Sequence, residues 1–318
     1  MAAPEFSATI EPFAGTGTTP LGRWLAGNLD AVKSRLVRDG AVLLRGFDAA
    51  GDDLAEVVLG QIGQELLDDA FWSTPRKGVK GKTFTATEFA SNRTIALHSE
   101  MAYMPAWPRL VAFHALEVAD EGGETTVCNL DVASAAMGEV AAKFAVKDVI
   151  YQRNYHKGID IPWQKAFRTE DRDEVDAIAS RNGMAVKWLP DGVLQTEHCA
   201  QGTVADEAGR ALWFNQAHVF HASALGAARA QLVQLLGADK LPRNAIFADR
   251  SPIADADMAH VHACFDGATA AMGWRPGDVL VLDNMRFAHG RAPFKGQRKL
   301  HVAMADAQTA RSRTPLFG

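Results

Sequence analysis

Cysteine is scarce in this sequence: Cys128, Cys199 and Cys264 form an odd set with no C-x-x-C pair. That pattern excludes a disulfide scaffold and a thiolate zinc site, and it fits a reducing cytoplasm. Each thiol reads first as a small buried hydrophobe. Long apolar runs are missing too. The longest uncharged stretch, 211–228, contains Asn215, Gln216, His218, His221 and Ser223, which excludes a simple membrane span. No excess of one charge is present: the formal net charge is −5 over 318 residues. Neither nucleic acid nor an anionic membrane is therefore an expected partner. The first residues lack a basic start followed by an apolar core, so no secretory leader is expected, and the expected location is cytoplasmic. No repeat, low-complexity tract or Ser/Gly linker divides the chain, so one domain over 1–318 is expected.

Periodicity supplies the elements. Residues 21–38 carry Trp24, Leu25, Leu29, Val32 and Leu36 at helical spacing and stop at Gly40. Residues 41–44 read as a buried strand and 52–67 as a second helix, giving a helical N-terminal part over about 1–70. Asp131 can cap a third helix that lines up Val132, Ala136, Val140 and Phe144. Further helices are expected at 222–236 and 255–272. Strand signals dominate elsewhere, at 110–118, 125–128, 149–155, 186–189, 211–214 and 279–282, with Asp191-Gly192 as a hairpin turn. The expected fold class is mainly β with flanking helices; the pattern leaves barrel, sandwich and jelly roll open. Segments 73–87 and 154–168 are lid candidates by length and composition, although a solvated surface loop explains either one equally well.

The chemistry-bearing residues come in order. Two imidazoles and one carboxylate on one face of an ion suit non-haem Fe(II), leaving positions open for a co-substrate and O₂. His98-Ser99-Glu100 can supply two ligands, because strand residues two apart point the same way. Alone, the pair means little, since about one H-x-[DE] match arises by chance in such a chain. Support comes downstream. A strand over 277–283 enters Asn284-Met-Arg286-Phe-Ala-His289, then Gly-Arg291-Ala-Pro-Phe294, and Gly296-Gln-Arg298-Lys-Leu-His301 opens another strand. A His ending one strand and an Arg on the next can meet across a short loop. An arginine fork on a carboxylate contributes roughly 1.5–3 kcal/mol.

The order H-x-E, G-G-E-T, D-N-x-R-x-x-H-x-R-x-P-F and G-x-R-x-L-H resembles the TauD/TfdA superfamily of taurine dioxygenase-like enzymes. Nearest are its clavaminate synthase-like and SyrP-like branches, whose members modify amino acids. The resemblance covers about 83–306, and Trp213-Phe-Asn-Gln216 is similar too. It implies a double-stranded β-helix (jelly-roll) core and a dioxygenase using Fe(II), 2-oxoglutarate and O₂. It also implies His98, Glu100 and His289 as metal ligands. Thr125, 27 residues after His98, and Arg298, nine after His289, are implied to hold the co-substrate's far carboxylate. Arg93, Glu88, Asn215 and Gln216 become candidate substrate contacts, while Trp72, Trp163 and Phe167 read as packing. Arg286 and Arg291 flank His289 and suit a substrate carboxylate, or backbone carbonyls and acids within the chain.

Two positions narrow the chemistry. Val302 stands where taurine dioxygenase has its sulfonate-gripping arginine, which disfavours a sulfonate. Glu100 stands where the related halogenases have a small residue, which disfavours halogenation. His218, His221, His260 and His262 offer a weaker second metal site, because residues two apart on a helix face different ways. The expected reaction is hydroxylation of an unactivated C–H of an amino-acid-like small molecule, free or bound to an acidic carrier protein that Lys77, Lys80 and Lys82 could meet. Succinate and CO₂ are the co-products. Desaturation or epoxidation, and a non-catalytic jelly-roll binding protein, are the alternatives.

Overall fold

A computed structural model of the protein describes residues 10–63, 65–68, 78–86, 89–189 and 192–309. Trp72, Lys77, Glu88, Asp191 and part of the first lid candidate lie outside them. The chain divides into two compact units, one of residues 1–101, 106–131 and 265–318, the other of 102–105 and 132–264.

The first unit begins with β1 (Phe13–Ala14), α1 (Leu21–Asp39), β2 (Ala41–Arg45) and α2 (Leu54–Ile62). It continues through β3 (Gly78–Lys80), β4 (Thr83–Thr85), β5 (Ile95–His98), β6 (Ala106–Glu117), β7 (Glu121–Gly122) and β8 (Thr125–Asn129). Helix α1 buries Leu21, Leu25, Val32 and Leu36, one apolar stripe of the expected period. It stops at Gly40, whose φ of 73° suits glycine and whose N–H closes onto Leu36 O. Strand β2 is buried at every residue.

The second unit holds α3 (Leu130–Met137, its first two residues still in the first unit), α4 (Glu139–Val146), β9 (Val149–Tyr155), α5 (Trp163–Phe167) and α6 (Arg172–Arg181). Then come β10 (Ala185–Trp188), β11 (Leu194–Ala200), β12 (Thr203–Ala205), β13 (Ala211–Trp213), α7 (Ala217–Phe220), α8 (Ala228–Leu236), β14 (Arg243–Phe247) and α9 (Asp255–Gly267). Its main sheet runs β10-β11-β9-β14. The chain returns to the first unit through β15 (Thr269–Met272), β16 (Val279–Asp283), β17 (Phe287–Arg291), β18 (Phe294–Lys295) and β19 (Lys299–Thr309).

Two sheets of the first unit position the site. One is seven-stranded, in the order β1-β2-β16-β6-β19-β4-β3; the other is four-stranded, β15-β8-β17-β5. One face of the large sheet packs on α1 and α2 through Val42, Leu44, Leu110, Ala112, Val279, Val281, Ala303 and Ala305. Burying each larger aliphatic side chain stabilises by about 1.5–3 kcal/mol.

Several expectations are corrected. Strands are as many as expected, but the helices are extensive enough that the architecture is mixed α/β. The helix expected over 255–272 ends at Gly267, and its last four residues form β15, paired with β8 as Met272↔Thr125. Alanine-rich periodicity suits either element, and an open strand partner decides. The third helix breaks at Gly138 (φ 52°), leaving Val132 half exposed instead of on one face with Phe144. Asp131 is the second residue of α3 rather than the residue before it, and its carboxylate takes Arg286. Segment 154–168 remains a lid candidate and contains α5; Trp163 and Phe167 are packing residues as expected, buried against Trp188 and Tyr155. Helix α6 and strand β14 have no counterpart in the sequence reading, whereas β10 and β11 are the pair that the expected hairpin turn joins. No helix among the described residues is long and apolar enough to cross a membrane.

Candidate metal centre

Strands β5 and β17 pair antiparallel with His98 directly opposite His289. The rings lie 4.6 Å apart between centroids. Gly290 permits the close approach: a Cβ there would sit 2.6 Å from Ile95 O and 2.7 Å from Thr126 Oγ1. The strand ends at His98, so Glu100 comes from the turn that follows rather than from the same strand face. His289 Nε2 is 3.8 Å from Glu100 Oε2, and one ligand atom from each of the three residues lies within 4.8 Å of the others. This is the one group of three or more potential ligands among the described residues.

The set fits a divalent ion. His98 Nδ1 lies 2.8 Å from Ala96 O, so it holds the proton and Nε2 is left as the ligand atom. Glu100 and His289 are 5% and 6% exposed. Two imidazoles and one buried carboxylate, arranged on one side, match the facial donor set of non-haem Fe(II).

The turn carrying Glu100 is clamped by Asn284, which sequence reasoning passed over. Asn284 Oδ1 accepts from Glu100 N at 2.6 Å, and its Nδ2 donates to Glu100 O and Pro108 O, both at 2.9 Å. Its neighbour Asp283 is fully buried and forked onto Arg109, at 3.0 and 2.8 Å. The D-N dipeptide before the R-x-x-H was the available signal.

A cavity between the two sheets is lined by Ile95, His98, Phe113, Thr125, His289, Arg291, Arg298 and their neighbours. At one end Thr125 Oγ1 accepts from Trp274 Nε1 (3.0 Å) and from Arg298 Nη2 (3.4 Å). With both lone pairs engaged, the Thr125 hydroxyl hydrogen is left to donate. Arg298 Nε donates to Gly123 O. Burial, with Arg291 nearby, brings the Arg298 guanidinium down to about 10. Its outer side borders a second cavity of about 230 Å³ containing Glu117, Asp120 and Glu124. Anions are repelled from that side.

The remaining candidates are placed as follows. Arg291 donates to Phe89 O, Ala90 O and Arg93 O. Arg93 is exposed, with its guanidinium over the Phe89 ring. Arg286 is forked on Asp131 and bonds Val37 O, away from the cavity lining. Asn215 and Gln216 lie in the second unit. Asn215 bonds Gly202 O and Ala217 N, and Gln216 N donates to the Tyr151 hydroxyl. His221 caps the short turn of helix at Ala222–Leu225 through Ser223 N.

The comparisons agree with the geometry. The model of the taurine catabolism dioxygenase TauD, TfdA family matches residues 9–304. The dapdiamide synthesis protein DdaC of Enterobacter agglomerans is 36% identical over 274 residues, 85% of this chain and 83% of DdaC. A clavaminate synthase-like protein of Arabidopsis thaliana is 28% identical, with the same coverage of 85% and 83%. The structure of an asparagine oxygenase in complex with Fe(II), 3-hydroxyasparagine and succinate superposes with a TM-score of 0.52 at 14% identity, covering 90% of this chain and 78% of that one. The chain belongs to the TauD/TfdA family of iron(II)- and 2-oxoglutarate-dependent oxygenases, with His98, Glu100 and His289 as its candidate facial triad.

Proposed function

We propose that the protein hydroxylates an unactivated C–H of an amino acid or an amino-acid-derived substrate. The single observation that carries this is one cavity lined both by His98 and His289 of the triad and by Thr125 and Arg298. The two facing sheets read as the two halves of a double-stranded β-helix. When bound, iron with 2-oxoglutarate and O₂ supplies oxidative decarboxylation to succinate and CO₂, coupled to oxygenation of the substrate. The chain's own residues do the rest. Arg298 and the Thr125 hydroxyl hold and orient the co-substrate's far carboxylate. Phe113, edge-on to the His289 ring at 5.0 Å, walls the ligands from water.

Amino-acid chemistry is supported by two likenesses: the 36%-identical protein serves dapdiamide synthesis, and the asparagine oxygenase shares the fold. Val302, 0% exposed, provides no grip for a sulfonate. Lys80 and Lys82 are engaged with Asp53 and with Leu66 O, which favours a free substrate over a carrier-bound one. Three free cysteines support a cytoplasmic setting. Arg93 is kept as a substrate contact.

The test is a panel of the twenty amino acids with Fe(II), 2-oxoglutarate and O₂, read as substrate-stimulated succinate release. At least one amino acid is expected to stimulate release, and His98→Ala to abolish it. Turnover that survives His98→Ala rules the triad out.

A further inference from the structure

Arg291 is the polar group of the cavity that the proposed roles leave unassigned. It is 5% exposed. Its Nη1 and Nη2 bond the carbonyls of Phe89, Ala90 and Arg93, while its buried Nε has no partner. No carboxylate offsets the burial of Arg291 among the described residues, whereas Arg298 has Glu124 on its outer side. A buried charge without a counter-ion is costly. Here the uncompensated Arg291 is neighbour to a second buried guanidinium, that of Arg298. Arg291 stands opposite Thr125 in the β17–β8 register, and Thr125 accepts from Arg298. Both guanidinium groups approach the Phe294 ring, at 4.9 and 5.8 Å. Arg291 and His289 are two apart on β17 and share a face, roughly 6–7 Å apart along the strand. That spacing suits a five-carbon diacid reaching from the metal to the arginines.

We propose that Arg291 is a specificity-determining residue whose Nε–H binds the co-substrate's far carboxylate opposite Arg298. The carboxylate is then held between two arginines. The site thereby selects 2-oxo diacids over 2-oxo monoacids and retains succinate after turnover. This rests on reading Arg298 and Thr125 as the carboxylate's cradle.

Two binding measurements test it. Succinate is titrated into metal-free protein by calorimetry, with Trp274 fluorescence as a second readout. 2-Oxoglutarate and pyruvate are titrated anaerobically into Fe(II)-loaded protein through the visible band of their chelates. Arg291→Gln is expected to weaken succinate and 2-oxoglutarate by tenfold or more and to leave pyruvate within twofold. Arg291→Lys should recover part of the loss, and it decides the matter if the glutamine variant does not fold. Succinate binding unchanged in the Arg291 variants but lost in Arg298→Gln overturns the role of Arg291 alone. No change in either set overturns the cradle as well. An equal loss for pyruvate and 2-oxoglutarate means Arg291 only props the 89–93 loop, and the proposal fails.

Discussion

Asn284 holds Glu100 from both sides of its peptide unit, and it is 1% exposed. Immediately after the ligand, Met101 adopts a φ of 58°, a left-handed conformation that a side-chain-bearing residue keeps only when its surroundings enforce it. The clamp supplies that enforcement. Asn284→Ala removes three hydrogen bonds and leaves buried backbone groups unsatisfied, at about 1–3 kcal/mol each. Fe(II) affinity is expected to fall about 10–100-fold, as it does when groups that orient a ligand are lost. Metal titration followed by a thermal melt checks it. An unchanged metal affinity in a destabilised protein would reduce Asn284 to a structural residue.

At the scale of elements, the pairing of β5 with β17 makes the site. Gly290→Ala puts a methyl against Ile95 O and Thr126 Oγ1, both on neighbouring strands. The strands must part, which costs about 1–3 kcal/mol and draws His98 away from His289. Metal binding should weaken by more than tenfold; a variant that binds Fe(II) normally would show that β5 can yield. Strand β16 is fastened at both ends by buried ion pairs, Arg45–Asp278 and Arg109–Asp283. Arg109→Leu strands the Asp283 carboxylate and should cost about 3–5 kcal/mol in denaturant unfolding. A loss under 1 kcal/mol, within the range of about 0–1 kcal/mol typical of exposed pairs, would contradict that placement.

Across the whole molecule, two neutral buried histidines set the acid limit. Burial lowers His114, in the first unit, and His198, in the second, from 6.5 to about 4. The unfolded chain binds these protons near pH 6.5 and the folded one near 4. Their stabilising contribution is therefore complete above pH 6.5 and is lost as pH falls from there to about 4. At about 1.4 kcal/mol per unit, each histidine accounts for roughly 3 kcal/mol over that window. Unfolding free energies measured at pH 7.5, 6.5, 5.5 and 5 should decline below 6.5. A flat profile to pH 5 would mean that neither histidine is buried neutral.

Local signals were legible where local physics decides. The stripe Leu21, Leu25, Val32, Leu36 ending at Gly40 needs only helical period and a left-handed cap, and α1 follows it. The ligand residues were legible because donor chemistry leaves few residue types to choose from. Residues 269–272 were not, since whether Thr-Ala-Ala-Met is a last helical turn or a strand depends on β8 offering a free edge. Nor was Arg286, whose fork on Asp131 spans 155 residues of chain. The sequence by itself determined the family, the metal donor set and the helix that backs the large sheet. Only the tertiary structure decided that His98 faces His289, that Asn284 grips Glu100, and that Arg291 stands beside Arg298 with a donor to spare. Those are register and long-range contacts, and register is chosen by the packing of whole sheets.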